Sequence, residues 1–251
     1  MNSQYVFELA GVDGNLIRGD RVIGKDRQIL FITGFLSKRW GNKSKALVQW
    51  CQEEGWGFCC YDVRGFGDSE GQFTDYTLSD WIADARTVLS VLSDGTPITI
   101  VGNSLGGWIA WLLAQECEQI ERLVLIAPAF NMMGVRARSI SEERQHAWHT
   151  AGWMPWDDDP IHRDWPLSWK WVEESEAYWK TTFERLRHVN TTILHGLQDG
   201  VILPGGSTQF VEQLLAKDVS FPVELNLIPG DHRLGSPENM ERFHQLVVEQ
   251  P

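Results

Sequence analysis

The stretch ITIVGNSLGGW, residues 98–108, decides the fold of this chain. Its apolar, β-branched beginning predicts a buried strand, and the apolar run from Trp108 to Gln115 predicts a buried helix. Between them stands Ser104, with a glycine two residues to either side. This G-x-S-x-G pattern is typical of a tight strand-to-helix turn that exposes a serine hydroxyl at a helix N-terminus, where negative charge is favoured. We therefore predict that Ser104 is a nucleophile.

Strand and helix patterns alternate on both sides of this stretch. An opening β-hairpin is predicted at 5–10 and 16–23, around the turn Asp13-Gly14-Asn15. Later strands are predicted at 28–33, 56–61, 123–127, 192–195 and 223–228, and helices at 43–54, 78–92, 206–215 and 237–248. Such alternation predicts an α/β fold with a mostly parallel, doubly wound sheet, whose site lies beyond the carboxyl ends of the strands.

Residues 129–188 interrupt the alternation, because no strand pattern occurs there. Seven tryptophans fall in this segment: Trp148, Trp153, Trp156, Trp165, Trp169, Trp171 and Trp179. So long a segment is rarely a loop, so we predict a helical cap inserted into a single domain that spans 1–251. Most of the indoles are expected to pack the cap onto the body. An apolar pocket beneath it is also expected, with Trp108, Trp148, Trp153 and Trp156 as candidate substrate contacts.

The composition narrows the classes of function. The net charge of -12 argues against binding to nucleic acid or to anionic membranes. Four cysteines without CxxC spacing indicate reduced thiols, not a disulfide framework or a zinc site. No signal peptide or membrane-spanning stretch is apparent, so a cytoplasmic protein is expected. No metal-ligand spacing or phosphate-binding loop occurs, so no cofactor or metal is expected.

A serine nucleophile needs a base and an acid that orients the base. Asp199 directly follows the penultimate predicted strand, in the segment HGLQD (195–199). An aspartate beside glycine more often serves a turn, but this place in the chain order favours the catalytic acid. His232 follows the last predicted strand and is the predicted base.

Other polar residues receive structural interpretations. His195 is interpreted as structural and His244 as a surface residue. Arg64 and Asp68 lie in a tight glycine-rich loop, where a structural ion pair or turn is expected. The remaining candidates are assigned to the cap: His146, His149, His162 and the acidic run Asp157, Asp158 and Asp159.

Two backbone N–H groups are expected to bind the oxyanion that forms when the serine attacks. One is that of Leu105, the residue after the nucleophile. The other is that of Phe35, in the loop after the predicted strand at 28–33.

Taken together, the motifs resemble the α/β-hydrolase superfamily over nearly the whole chain. They are TGF (33–35), DVRGFGDS (62–69), GNSLGGW (102–108), HGLQD (195–199) and GDHRL (230–234). The combination of GFLS (34–37), SLGGW and GDHRL is similar to a branch that contains palmitoyl-protein thioesterases and acyl-glucuronide esterases of mitochondria, with bacterial relatives. Thr33 departs from the His or Pro often found before this glycine, and the Trp-rich cap matches no motif of the branch.

The resemblance implies hydrolysis of small-molecule acyl esters or thioesters through Ser104, Asp199 and His232. The expected function is a serine esterase acting on hydrophobic acyl or alcohol groups through an acyl-enzyme. Two alternatives stay open: a ligand receptor that keeps the triad but turns over little, and a C–C bond hydrolase or amidase on the same fold.

Overall fold

A continuous eight-stranded sheet forms the centre of the molecule. The computed structural model describes residues 4–92, 95–154 and 165–249. The strands are β1 (Gln4–Ala10), β2 (Leu16–Val22), β3 (Gln28–Ile32), β4 (Gly57–Tyr61), β5 (Ile98–Asn103), β6 (Ile120–Ile126), β7 (Trp153–Met154), β8 (Leu167–Ser168), β9 (Asn190–Gly196) and β10 (Val223–Ile228). The α-helices are α1 (Asn42–Glu54), α2 (Leu78–Ser90), α3 (Leu105–Glu116), α4 (Met132–Arg138), α5 (Glu142–Ala151), α6 (Lys170–Thr181), α7 (Gly205–Lys217) and α8 (Pro237–His244).

The sheet order is β1-β2-β4-β3-β5-β6-β9-β10. The pairs β1–β2 and β2–β4 are antiparallel, and every later pair in this order is parallel. The predicted α/β fold with a mostly parallel sheet is confirmed. Because β3, β5, β9 and β10 run in the same direction, their carboxyl ends lie along one edge of the sheet.

Helices cover both faces of the sheet. On one face α2, α3 and α7 pack against the strands, and every residue of α3 from 105 to 114 is buried. On the other face α1 and α8 contribute Leu47, Cys51 and Phe243 to a second apolar cluster. Strands covered on both faces read as continuous apolar runs, which explains the buried sequences of β3 and β4.

Most predicted boundaries agree with the structure within three residues, and two differences are larger. The predicted helix 237–248 ends as an α-helix at His244 and continues as a π-helical turn over Gln245–Glu249. The buried Arg122 side chain donates to the carbonyls of Leu246 and Val247 in this turn. The second difference is the two-residue ribbon of β7 and β8, which is too short to leave a strand pattern in the sequence.

Residues 127–189, here called the insertion, leave the sheet between β6 and β9 and contain α4, α5 and α6. Glu174 of α6 accepts hydrogen bonds from the Thr77 hydroxyl and the Ser79 N–H at the start of α2. Trp171 of α6 is buried and its indole N–H donates to the Tyr76 carbonyl. These contacts attach the insertion to the body beside the carboxyl ends of the strands.

A buried ion pair holds the loop after β4 against α2. The Arg64 side chain is 1% exposed, and its Nε lies 2.5 Å from Asp84 Oδ1. The backbone N–H of Arg64 donates to the second Asp84 oxygen at 2.8 Å. Asp13, which is partly exposed, is a further partner of the guanidinium at 2.7 Å.

We expect Asp84→Asn to lower the free energy of unfolding by about 3–5 kcal/mol, because it leaves a buried guanidinium with too little compensating charge. Urea denaturation followed by tryptophan fluorescence measures this. Glu121→Gln removes an exposed carboxylate of the same sheet and is the control, with an expected change within about 0.5 kcal/mol. Equal denaturation midpoints for the two variants would show that the ion pair contributes no stability.

Candidate active site

The turn between β5 and α3 holds Ser104 in a strained backbone conformation, with φ 54° and ψ -120°. Non-glycine residues rarely adopt positive φ, and such strain concentrates at functional sites. The positions of Gly102 and Gly106 have no room for a side chain. A Cβ atom on Gly102 would lie 2.5 Å from the Gly106 carbonyl oxygen, and one on Gly106 would lie 2.3 Å from the Ile32 carbonyl oxygen.

Asp199 lies in the turn that follows β9, with its side chain buried. Its Oδ1 atom accepts hydrogen bonds from the backbone N–H groups of Val201 and Ile202, at 2.8 and 2.9 Å. This turn geometry leaves Oδ2 directed toward the loop after β10. The carboxylate is therefore held in one rotation.

His232 lies in the loop after β10 and contacts both other residues. Its Nδ1 atom lies 2.7 Å from Asp199 Oδ2, and its Nε2 atom lies 3.2 Å from Ser104 Oγ. The loop is tied to the Asp199 turn, because the Gln198 N–H donates to the Gly230 carbonyl and the Gly230 N–H donates to the Gln198 side chain. Three separate strand ends thus place Ser104, His232 and Asp199 in one chain of hydrogen bonds.

The segment after β3 lies next to Ser104. A Cβ atom on Gly34 would be 3.1 Å from the Ser104 Cβ. Phe35 follows, and its ring packs against Phe73, Trp81 and Trp171 with centroid distances of about 6 Å. Leu105 is the first residue of α3, where a backbone N–H has no acceptor within the helix. The structure therefore places both predicted oxyanion donors on segments that adjoin the serine.

His195 belongs to the same group, which the sequence interpretation missed. Its side chain is fully buried, and its Nε2 atom lies 3.1 Å from Asp199 Oδ2 and 2.9 Å from the Ile202 carbonyl oxygen. Its Nδ1 atom lies 2.8 Å from Ser207 Oγ on α7. Burial lowers the pKa of His195, against the opposing influence of Ile202 and Asp199. The signal available in the sequence was its place at the end of the strand that precedes Asp199.

A cavity of about 1610 Å³ opens over Ser104 and His232. Its apolar lining comes mostly from the insertion and from the segment after Asp199. The apolar residues of this lining are Phe31, Phe35, Leu36, Pro128, Ala129, Phe130, Met132, Met133, Val135, Trp179, Val201, Ile202, Leu203 and Met240. The basic residues among the described lining are Lys38, Lys43, Arg136, Arg138 and Arg233, against one acidic residue, Asp231.

Three of the four predicted tryptophan contacts, Trp108, Trp148 and Trp153, do not line this cavity. Trp108 is fully buried within α3, in the core below the turn. Trp148 is buried too, and its indole N–H donates to the Leu167 carbonyl inside the insertion. Trp153 is exposed on the short ribbon, and Trp156 lies outside the described residues. Trp179 is the insertion tryptophan that lines the cavity within the part of the chain that is described.

The structure agrees in part with the structural roles predicted for the other polar residues. Arg64 pairs with Asp84 and Asp13, whereas Asp68 pairs with Arg39, so both residues form structural ion pairs, but not with each other. His149 packs on Trp169, and His244 packs on Trp50. His162 and the acidic run 157–159 lie outside the described residues.

Residues 4–92, 95–154 and 165–249 show neither a metal-binding cluster nor a membrane-spanning helix. They contain no group of three or more His, Cys, Asp or Glu side chains arranged to hold a metal ion. Over the same ranges no helix has the length and apolar character needed to cross a membrane.

This fold and this site define an α/β-hydrolase of the serine hydrolase type. A family model described as serine aminopeptidase, S33, matches residues 25–156, more than half of the chain, so the protein belongs to that family. The chain is similar to the palmitoyl-protein thioesterase ABHD10, mitochondrial, of Bos taurus: 25% identity over 219 residues, covering 85% of this chain and 69% of the relative.

Solved structures agree on the fold. Alpha/beta hydrolase domain-containing protein 10 from mouse aligns with a TM-score of 0.83 and 25% identity, over 98% of this chain and 97% of that one. A putative hydrolase from Agrobacterium vitis S4 aligns with a TM-score of 0.86 and 24% identity, over 99% and 98% of the two chains. The resemblance to the α/β-hydrolases expected from the sequence is confirmed.

We expect Gly106→Ala to reduce hydrolytic activity by about 10²-fold, because the added methyl group must push the end of β3 away from the serine turn. Initial rates on a 4-nitrophenyl ester measure this. Gly205→Ala is the matched control, since a Cβ there meets no atom within 4 Å and Gly205 does not line the cavity. Wild-type activity in Gly106→Ala would contradict the close packing of the turn.

Proposed function

We propose that this protein hydrolyses carboxylic esters, and also thioesters, of hydrophobic acyl or alcohol groups through an acyl-enzyme on Ser104. The observation that carries the proposal is the chain of hydrogen bonds from Asp199 Oδ2 through His232 to Ser104 Oγ, at 2.7 and 3.2 Å. These contacts are within the reach that proton transfer requires, and they lie at the floor of one cavity.

In the proposed reaction, His232 Nε2 accepts the Ser104 proton as the hydroxyl attacks the acyl carbon. Asp199 accepts the Nδ1–H of His232, which keeps the imidazole in the required tautomer and stabilises the imidazolium. His232 then donates the proton to the leaving alcohol or thiol. A water molecule, activated by the same histidine, attacks the acyl-enzyme and releases the acid.

The backbone N–H groups of Leu105 and Phe35 are the proposed oxyanion donors. One such donor is worth about 3 kcal/mol of transition-state stabilisation in related chemistry. The aromatic packing of Phe35 against Trp81 and Trp171 supports this assignment, because it holds the donor loop beside Ser104. It also links the loop to the insertion, which we propose acts as a cap over the substrate.

The cavity supports a hydrophobic acyl or alcohol group. Most of its apolar residues come from the insertion and from the segment after Asp199, so an acyl chain there would be covered by the insertion. A thioester substrate is favoured by the likeness to ABHD10, which is named a palmitoyl-protein thioesterase.

The alternatives differ in what they require of the site. An aminopeptidase needs carboxylates for the substrate's ammonium group, but the described lining has one acidic side chain among five basic ones. A receptor of the same fold would bind the ligand without forming an acyl-enzyme. A C–C bond hydrolase would accept a β-diketone in preference to an ester.

We expect wild-type protein to release 4-nitrophenol from 4-nitrophenyl butyrate with turnover, and Ser104→Ala to lose about 10⁶-fold in kcat. Asp199→Asn is expected to lose about 10⁴-fold, because the neutral amide no longer fixes the histidine tautomer. Stopped-flow and steady-state rates on esters, thioesters and a β-diketone of increasing chain length measure this.

The same assay separates the alternatives. Binding of the esters without a nitrophenol burst would indicate a receptor, and a preference for the β-diketone would indicate a C–C bond hydrolase. His232→Gln is a second test, since full ester turnover in that variant would refute the proposed base.

The charge of the cavity bears on the substrate's polar end. In a chain of net charge -12, the described lining carries five basic side chains. Lys43 is half-buried, and this burial lowers the pKa of its ammonium to about 8 while Asp231 opposes that shift. Lys43 Nζ donates to the Arg233 carbonyl, and the Arg233 side chain is exposed. A negatively charged group on the substrate would therefore be attracted to this opening.

We expect 3-(butyryloxy)benzoate to have a KM about 5-fold lower than that of its neutral methyl ester at low salt. The reason is that two exposed cations of the lining, Lys38 and Arg233, each contribute up to about 1 kcal/mol of attraction to the carboxylate. The difference should vanish at high salt, where these charges are screened. The double variant Lys38→Gln, Arg233→Gln should remove the difference without lowering kcat on the neutral ester. Equal KM values for the two esters in wild type would contradict an electrostatic preference.

We also propose a cytoplasmic location, because Cys51, Cys59, Cys60 and Cys117 are free thiols, three of them buried, and free thiols are typical of a reducing compartment. The bovine relative is named mitochondrial, so a mitochondrial location is the alternative. Fractionation of the source cells distinguishes the two.

A further inference from the structure

One carboxylate oxygen of the proposed catalytic acid faces two imidazoles. Oδ2 of Asp199 lies 2.7 Å from His232 Nδ1 and 3.1 Å from His195 Nε2. His232 is partly exposed at the cavity, whereas His195 is fully buried behind the carboxylate. The proposed mechanism assigns no role to His195.

The surroundings of His195 determine which ring nitrogen carries the proton. The Ile202 carbonyl can only accept a hydrogen bond, and it lies 2.9 Å from Nε2, so Nε2 is the protonated nitrogen. The unprotonated Nδ1 then accepts the Ser207 hydroxyl at 2.8 Å. The charged or titratable groups that face this ring are Asp199 and His232, and burial keeps the pKa of His195 below its ordinary value. The ring is therefore neutral and presents one N–H between Ile202 and Asp199.

We propose that His195 is a positioning residue for the proposed triad, and that its Nε2–H shares Asp199 Oδ2 with the Nδ1–H of His232. The inference rests on the proposed function, since it assigns a role relative to Ser104 and His232. Ser207, fully buried on α7, holds the His195 tautomer from the far side.

This arrangement has two consequences for the carboxylate. Asp199 accepts four N–H groups, two on Oδ1 from Val201 and Ile202 and two on Oδ2 from the imidazoles. Hydrogen bonds to both of its oxygens thus fix the orientation of the Asp199 carboxylate. The His195 N–H also withdraws negative charge from Oδ2, which weakens the hold of Asp199 on a protonated His232. Removing it should strengthen the interaction of Asp199 with a protonated His232.

The test is the pH dependence of kcat/KM on 4-nitrophenyl butyrate for His195→Phe, His195→Gln and Ser207→Ala. His195→Phe lacks the N–H, so we expect kcat to fall by about 10²-fold and the acid limb to move upward by about 0.5–1 pH unit. His195→Gln places an amide N–H near the same position and should restore most of kcat and the wild-type acid limb. A purely structural role would alter stability but not the acid limb.

His188→Phe is the matched control. His188 Nε2 lies 2.6 Å from Asp218 Oδ2 in an exposed His–Asp pair at the end of the insertion, so its loss should leave both kcat and the pH profile unchanged. Thermal unfolding and near-ultraviolet circular dichroism establish that each variant is folded.

Wild-type kcat and acid limb in folded His195→Phe would overturn the inference. If that variant does not fold, Ser207→Ala decides, because it removes the hydroxyl that holds the His195 ring on the side away from Asp199 without removing the ring. An unchanged profile there overturns the inference, and an upward-shifted acid limb with lower kcat supports it. Full activity in Ser104→Ala would instead refute the proposed function itself, so the two failures are distinguishable.

Discussion

The hydrogen bonds that meet at Asp199 are the constraint on which the rest of the site depends. They join the turn after β9 to the loop after β10, and through His232 they reach the turn after β5. This junction is possible because parallel strands end at one edge of the sheet, so loops distant in sequence begin side by side. Ser104 and His232 are 128 residues apart in the chain, yet their side chains are in contact.

The serine turn depends equally on close backbone packing. Gly102 and Gly106 let β5 and α3 approach until no side chain would fit between them and the end of β3. The strained φ of Ser104 is held by hydrogen bonds on both sides, since its N–H donates to the Ile126 carbonyl and its carbonyl accepts from Gly107 and Ala129. The surrounding sheet and helix therefore over-determine the strained residue, as such strain requires.

The insertion is attached to the body through aromatic and carboxylate contacts near the site. Trp171 packs on both Trp81 and Phe35, so a helix of the insertion touches the segment that adjoins Ser104. Arg138 and Asn131 of the first inserted helix and its N-cap contact Glu176 of α6. The indoles thus act mainly as packing residues. Indoles bury large areas at modest entropy cost, which suits them to packing the insertion onto the body. This explains why, of the described tryptophans in the insertion, Trp179 alone lines the cavity.

The sequence by itself determined the α/β fold, the strained serine turn and the order serine, aspartate, histidine, because these features are local. Apolar runs, glycine spacing and the residue that follows each strand are all read within a few positions of the chain. Tertiary structure alone decided that His195 contacts Asp199, that Trp179 faces the cavity while Trp108, Trp148 and Trp153 do not, and that Arg64 and Asp68 take different partners. Those outcomes depend on which face of one element meets another across the fold, and neither residue type nor spacing specifies that contact.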